Sequence, residues 1–169
     1  MKERNPRLGI WFADGTWACL PSACPSRLII GAIGVVAVAE GRTPYKILIT
    51  DDDAACRHSV SDALAANGYQ TVEASCGREA IEVAMRRLVH VLIVDMNMPD
   101  LSGVETLAII RREVATPPPS ILMSADASED VIRRALQAQF YSFIPKPLQL
   151  GILRHVVQEI IRRTYESDT

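Results

Sequence analysis

From Lys46 onward, short apolar runs alternate with longer stretches of helical spacing, and this alternation confines the chain to strand-helix units wound around a parallel sheet. The runs Lys46 to Thr50, Val91 to Val94 and Ser120 to Met123 are almost continuously apolar, as expected of strands covered by helices on both faces. Gln70 to Glu73 and Ser142 to Ile144 are shorter and more polar, and read as an edge strand and the last strand. Between the runs, Ala80, Ile81, Ala84, Met85 and Leu88 share one helical face, and Ile152, Leu153, Val156, Val157, Ile160 and Ile161 do the same near the end. Asn67-Gly68 stops the first helix and Ser102 with Glu105 has capping-box spacing for the third. Ser128 before Glu129 and Asp130 opens the fourth helix, and Pro117-Pro118-Pro119 ends the third. The reading is an α/β domain over residues 44–166 with five strands and five helices, followed by a tail at 167–169.

Residues 1–43 are different material. They carry five basic and three acidic side chains against thirteen and seventeen in the remainder, and they hold both tryptophans. Prolines and glycines are frequent and no apolar period favours a helix or strand, so a poorly structured N-terminal extension is expected. Leu28 to Ala39 is apolar and ends in Ala37-Val38-Ala39, a signal-peptide-like pattern, but two tryptophans and Asp14 precede it. At 12 residues the run falls short of the ~20 that a membrane-spanning helix needs. Cys19 and Cys24 lack the two further ligands of a zinc site, and Cys56 and Cys76 read as small, half-buried side chains at helix starts. A net charge of −2 without clustered Lys and Arg argues against direct nucleic-acid binding.

In an open parallel sheet the functional crevice lies beyond the carboxyl ends of the strands. There the sequence supplies Asp51, Asp52 and Asp53 after the first strand, Asp95 after the third, Ser124 after the fourth and Lys146 after the fifth. Carboxylates gathered on one rim repel and call for a cation; hard oxygen donors without His or Cys suit Mg²⁺, with Asp51, Asp52 and Asp95 as its site. Lys146 adds a fixed positive charge and Ser124 a hydroxyl donor, which together suit a phosphoryl group. Asp95 is the favoured nucleophile because it stands alone after a central strand, whereas Asp51 and Asp52 are adjacent and better placed to hold metal. Taken singly each residue has an ordinary explanation, Ser124 as a loop cap and Lys146 as a surface lysine; only the constellation is specific.

The segments Ile47 to Asp53, Val94 to Gly103, Leu122 to Ala125 and Ile144 to Pro147 resemble the receiver domain of two-component response regulators, of the single-domain, chemotaxis-regulator-like kind, over about Tyr45 to Arg163. The resemblance implies a flavodoxin-like doubly wound (βα)5 fold with strand order 2-1-3-4-5. It also implies a phosphorelay role in which Asp95 is the phosphoacceptor, supplied by a sensor histidine kinase or a histidine phosphotransfer protein. Asp52, Asp95 and the backbone carbonyl of Asn97 would bind Mg²⁺, with Asp51 helping through water. Lys146 would contact the phosphoryl group and join Pro147 by a cis peptide. Ser124 and Phe143 would form the switch, and Phe143 lacks the hydroxyl that a tyrosine would offer a partner. Asn97 and Asp126 occupy the positions that tune hydrolysis, and an amide with a carboxylate there suggests a phosphorylated lifetime of seconds to minutes.

The expected function is that of a stand-alone cytoplasmic receiver, not an enzyme on a separate substrate, which signals to another protein through the face of the fourth helix, fifth strand and fifth helix: Arg133, Arg134, Gln137, Phe140, Tyr141 and Gln149. An aspartyl-phosphate phosphatase typically carries a second acid two residues after its nucleophile, where this chain has Asn97. The alternative is a phosphorylation-independent scaffold or dimerisation module, which normally has lost one of Asp52, Asp95 or Lys146.

Overall fold

A computed structural model describes residues 9–11, 17–19 and 44–166, and the chain divides into two units, Met1–Thr43 and Pro44–Thr169. In the first, strands β1 (Gly9–Trp11) and β2 (Trp17–Cys19) pair antiparallel, with Ile10 opposite Ala18. The sequence pattern predicts no strand here. The overlooked signal is Asp14-Gly15, a dipeptide that favours chain reversal, set between two triplets that each carry a tryptophan. Cys24, the apolar run Leu28 to Ala39, the side chain of Cys19 and the tail 167–169 lie outside the described residues.

The second unit alternates strictly: β3 (Lys46–Thr50), α1 (Ala54–Ala65), β4 (Gln70–Ala74), α2 (Gly77–Arg86), β5 (Val91–Asp95), α3 (Gly103–Glu113), β6 (Ser120–Ser124), α4 (Glu129–Gln137), β7 (Ser142–Pro145) and α5 (Leu150–Tyr165). The five strands are parallel in the order β4-β3-β5-β6-β7, which is 2-1-3-4-5 when they are counted from Lys46, the flavodoxin-like arrangement. Successive strand residues feed opposite faces. Leu48, Leu92, Val94 and Leu122 pack with Ala80, Leu107, Ile110 and Val131 under α2, α3 and α4. Ile47, Ile49, Ile93, Ile121 and Met123 pack with Val60, Leu64, Leu153, Val157 and Ile160 under α1 and α5. Both faces being covered is why the strands read as unbroken apolar runs. No helix among the described residues is long and apolar enough to cross a membrane.

The expected helix stops hold in part. Gly68 takes the left-handed φ of +85° that ends α1, and Ser102 and Glu105 form the reciprocal capping box of α3. That helix ends at Glu113, with Val114 already extended, so the three prolines lie in the connection to β6 and do not themselves stop it. Met85 and Leu88 are 57% and 67% exposed, contrary to the apolar face expected of α2: Leu88 lies beyond the helix end at Arg86, where Val89 turns inward in its place, and Met85 lies inside the helix yet faces solvent. Ile152 on α5 is likewise exposed.

Two contacts fix the loop between β5 and α3. Asp100 accepts hydrogen bonds from the amides of Gly77 and Arg78 at 3.0 and 2.9 Å, capping α2 from a distance where Cys76 makes no side-chain cap. Its slight burial raises the pKa, but the amide bonds prevail and hold the carboxyl down to about 2. Gly103, the first residue of α3, lies so close to β5 that an added Cβ would meet the Asp95 carbonyl oxygen at 2.5 Å and Leu122 Cδ1 at 2.9 Å.

Candidate functional site

The strand register delivers the expected residues to one rim. Thr50 pairs with Val94, Asp95 with Met123 and Ser124 with Pro145, so residues 51, 95, 124 and 146 lie at the ends of β3, β5, β6 and β7. The Lys146-Pro147 peptide is cis, as the resemblance implied. Asp51 is fully buried, Asp95 is 4% exposed and Ser124 is fully buried.

Lys146 bridges the two carboxylates, its Nζ donating to Asp51 Oδ2 at 2.8 Å and to Asp95 Oδ1 at 2.7 Å. The other oxygens accept main-chain amides, Asp51 Oδ1 from Asp53 at 3.0 Å and Asp95 Oδ2 from Asn97 at 2.8 Å. Burial disfavours the Lys146 ammonium, yet the hydrogen bonds to Asp51 and Asp95 and their charges outweigh it and raise its pKa. For Asp95, burial is the largest influence and raises the carboxyl pKa, against the opposing pull of Lys146 and the Asn97 amide. A buried acid with a raised pKa, 2.7 Å from a half-buried ammonium at the carboxyl end of a central strand, is a candidate functional group.

The remaining predicted residues sort by exposure. Asp52 and Asn97 are exposed at the mouth of the site. Asp53, grouped with the acidic cluster in the sequence, caps α1 through bonds from the amides of Ala55 and Cys56. Among the described residues no three His, Cys, Asp or Glu side chains form a ready metal cage. Mg²⁺ does not require one, since it takes one or two carboxylates and keeps several waters. Asp51, Asp95 and Lys146 together carry one net negative charge, and Asp52 directly follows Asp51 while Asn97 lies two residues after Asp95. The donor set therefore fits a hard divalent cation.

Ser124 Oγ accepts the Asp126 amide at 3.1 Å, and Asp126 in turn accepts the Ser128 amide at 2.8 Å, which ties the hydroxyl to the entry of α4. Phe143 is half-buried and packs against the cluster beneath α2, α3 and α4. Phe140, expected on the outer face, is buried at 8% exposure, whereas Arg133, Arg134, Gln137, Tyr141 and Gln149 are exposed as expected. Ile132 and Leu136, at 37% and 70% exposed, add apolar surface to α4 that the sequence reading did not single out. Beside Lys146 a cleft of about 270 Å³ runs between α1 and the loop into α5, lined by Asp53, Cys56, Ser59, Val60, Pro147 and Leu148. Burial, then the hydrogen bond to Asp51 and its charge, push the Cys56 thiol up to about 12, so it faces the cleft as a neutral group.

Gly103 was not recognised as part of the site, yet it sets how closely α3 approaches Asp95. Gly103→Ala is expected to lower stability by about 1 to 3 kcal/mol, the usual cost of inserting a methyl group where backbone cannot yield, and to displace the Asp95 main chain. Urea unfolding compared with the wild type checks this; an unchanged midpoint would show that the loop gives way freely.

A model of the response regulator receiver domain matches residues 47–158. Among curated relatives, the chain is 31% identical over 125 residues to the response regulator MprA of Mycolicibacterium vanbaalenii, which covers 74% of this chain and 54% of that protein. It is 27% identical over 135 residues to the transcriptional regulatory protein PdtaR of Mycobacterium tuberculosis, covering 79% of this chain and 64% of that one. The chain thus spans roughly half to two thirds of the length of these relatives. Among solved structures, the receiver domain of the Francisella response regulator 1452 superposes with a TM-score of 0.67 at 28% identity, over 71% of this chain and 98% of that one. The Vibrio cholerae chemotaxis protein CheY4 gives 0.64 at 26%, over 69% and 98%.

Proposed function

This chain belongs to the response regulator receiver family, and from that premise we propose that Asp95 accepts a phosphoryl group from the phosphohistidine of a sensor histidine kinase or a histidine phosphotransfer protein. The observation that carries the reading is the Lys146 ammonium held between Asp51 and Asp95. An Asp95 carboxylate oxygen attacks phosphorus, the P–O bond forms as the P–N bond of the donor breaks, and the imidazole leaves with its electron pair. Lys146 then lies where charge gathers on the phosphoryl oxygens. Asp51, Asp52, Asp95 and the Asn97 carbonyl would hold Mg²⁺, which when bound neutralises that same charge. A receiver served by such a donor would act in the cytoplasm.

Burial of Ser124 and its bond to the Asp126 amide give the switch its mechanical basis. A phosphoryl group offers Ser124 Oγ a charged acceptor, favouring the state in which the hydroxyl moves toward the site and leaves the entry of α4. Phe143 then follows the vacated space, and the exposed face of α4, β7 and α5 changes shape. That face, with Ile132, Leu136 and Tyr141 among Arg133, Arg134 and Gln137, is where a downstream protein would dock.

The experiment is incubation with Mg²⁺ and acetyl phosphate, followed by intact-mass analysis. A gain of about 80 Da, one phosphoryl group, that needs Mg²⁺ and is absent from Asp95→Asn supports the reading. A folded wild type that gains nothing from any donor would favour a phosphorylation-independent scaffold. Asn97 is exposed beside the acceptor and Asp126 is two residues beyond Ser124, so water has polar neighbours for attack on the acyl phosphate. The phosphorylated form is expected to decay within seconds to minutes when donor is removed in Mg²⁺, and persistence for many hours would contradict that assignment.

A further inference from the structure

The reaction as described leaves one buried cation near the site without a role. Arg57 lies in the second turn of α1, its side chain 13% exposed. Its Nη1 donates to the Asp51 carbonyl oxygen at 2.7 Å while its Nε donates to Glu73 Oε2 at 3.1 Å. The Asp51 amide is engaged as well, donating to the Ala74 carbonyl at 3.3 Å. Both peptide groups of Asp51 are therefore tied, one to β4 directly and the other to β4 through Arg57 and Glu73, the neighbour of Ala74.

We infer that Arg57 is a positioning residue for the phosphorylation site: by clamping the main chain of Asp51 it holds loop 51–53 in the shape that binds the divalent cation. The inference rests on the proposed receiver chemistry. A guanidinium suits the task because its rigid fork presents two donors in different directions, one to the carbonyl and one to the carboxylate, where a lysine ammonium on a flexible stem serves as a point charge. The Asp51 carboxylate has bonds of its own, from Lys146, from the Asp53 amide and from the Cys56 thiol. Those bonds set the side chain, but the direction in which Asp51 and Asp52 leave β3 is a main-chain property, and Arg57 is the side chain that fixes it. Partners that orient ligands without touching the metal typically change metal affinity about 10- to 100-fold when removed. Glu73 also receives His58 Nε2 at 3.3 Å, an exposed contact on its outer side that does not reach Asp51.

The test separates positioning from general support. Mg²⁺ is titrated calorimetrically into the unphosphorylated full chain, and the Mg²⁺ dependence of phosphorylation by acetyl phosphate is measured in parallel, for wild type, Arg57→Met, Arg57→Lys and His58→Gln. Arg57→Met is expected to weaken Mg²⁺ binding about tenfold, with the rate at saturating Mg²⁺ within about twofold of wild type, the pattern of a group that acts on ligand binding and not on the chemical step. Arg57→Lys is expected to fall between, since one ammonium cannot serve both partners, and His58→Gln to match the wild type. A folded Arg57→Met with unchanged Mg²⁺ affinity overturns the inference, as does a lysine variant indistinguishable from wild type. A lower saturated rate at unchanged affinity overturns it too. A wild type that neither binds Mg²⁺ nor takes up phosphoryl groups is a different result, because it removes the receiver reading itself.

Discussion

Lys146→Met is expected to lose about 3 kcal/mol of stability at neutral pH, the lower end of what removing one partner of a buried ion pair costs, and to take up phosphoryl groups at least about 100-fold more slowly, as when a charge-stabilising donor is removed from a transition state. Its Nζ is the one cation within bonding distance of both Asp51 and Asp95 among the described residues, at 2.8 and 2.7 Å. Methionine fills similar volume and leaves two buried carboxylates facing each other. The pH dependence follows from Asp95. Burial already raises its pKa in the folded protein while Lys146 lowers it, so losing Lys146 lets it climb further. An acid whose folded pKa exceeds its unfolded value contributes stability that is present below the unfolded pKa and is lost as pH rises through the folded one. The deficit of the variant should thus be smallest at acid pH, below the ~3.9 of an aspartate in the unfolded chain, and open as pH rises toward 7. Urea unfolding at several pH values, with intact-mass time courses at neutral pH, reads both effects; a stability difference independent of pH would mean that Asp95 does not carry the uncompensated charge.

Much of the site was legible because it depends on position along the chain. A residue that follows a buried parallel strand must emerge on the rim, so Asp51, Asp95, Ser124 and Lys146 could be placed together before any coordinates, and the register bears this out. The resemblance to the receiver family added the strand order and the cis peptide. What stayed hidden depends on distance through space. Arg57 and Asp100 serve atoms on neighbouring elements, and nothing in their local sequence distinguishes them from an ordinary helix-face arginine or loop aspartate. His90, which nothing in the sequence pattern singles out, is held between the rings of Tyr45 and Tyr165 at 5.2 and 5.3 Å and accepts the Lys46 amide, a cluster joined from three separate segments. Phe140 and Tyr141 show the limit of period arguments. Both are aromatic and adjacent in the turn before β7, where no helical or strand period applies, and only the first is buried. For Leu88 the helix ended sooner than the pattern did, whereas Met85 lies within α2 and is exposed all the same.

Asp95→Asn is expected to abolish phosphorylation and at the same time to melt about 3 to 5 °C higher than wild type at pH 7, the shift produced by roughly 1 kcal/mol in a domain of this size. The two effects have one cause. Burial raises the Asp95 pKa, so ionising it at neutral pH works against folding, and the bonds from Lys146 and Asn97 offset that penalty only in part. Asparagine occupies nearly the same volume, needs no ionisation and leaves Lys146 paired with Asp51. It keeps one acceptor oxygen where Asp95 uses two, a loss that does not vary with pH. The gain from removing the charge does vary: it is absent below the pKa of Asp95 in the unfolded chain and grows as pH rises through its raised value in the folded one. Melting curves of the two proteins should therefore lie close near pH 3.5 and separate toward pH 7, with the variant above. Equal separation at every pH would trace the change to packing. Separation that grows with pH would mean that the carboxylate is kept ionised in a place that disfavours it, so that its charge is relieved when it is covered by a cation and a phosphoryl group. The destabilised ground state and the reactive nucleophile would then be the same atom pair, and the energy that phosphorylation releases into the switch at Ser124 would come in part from that relief.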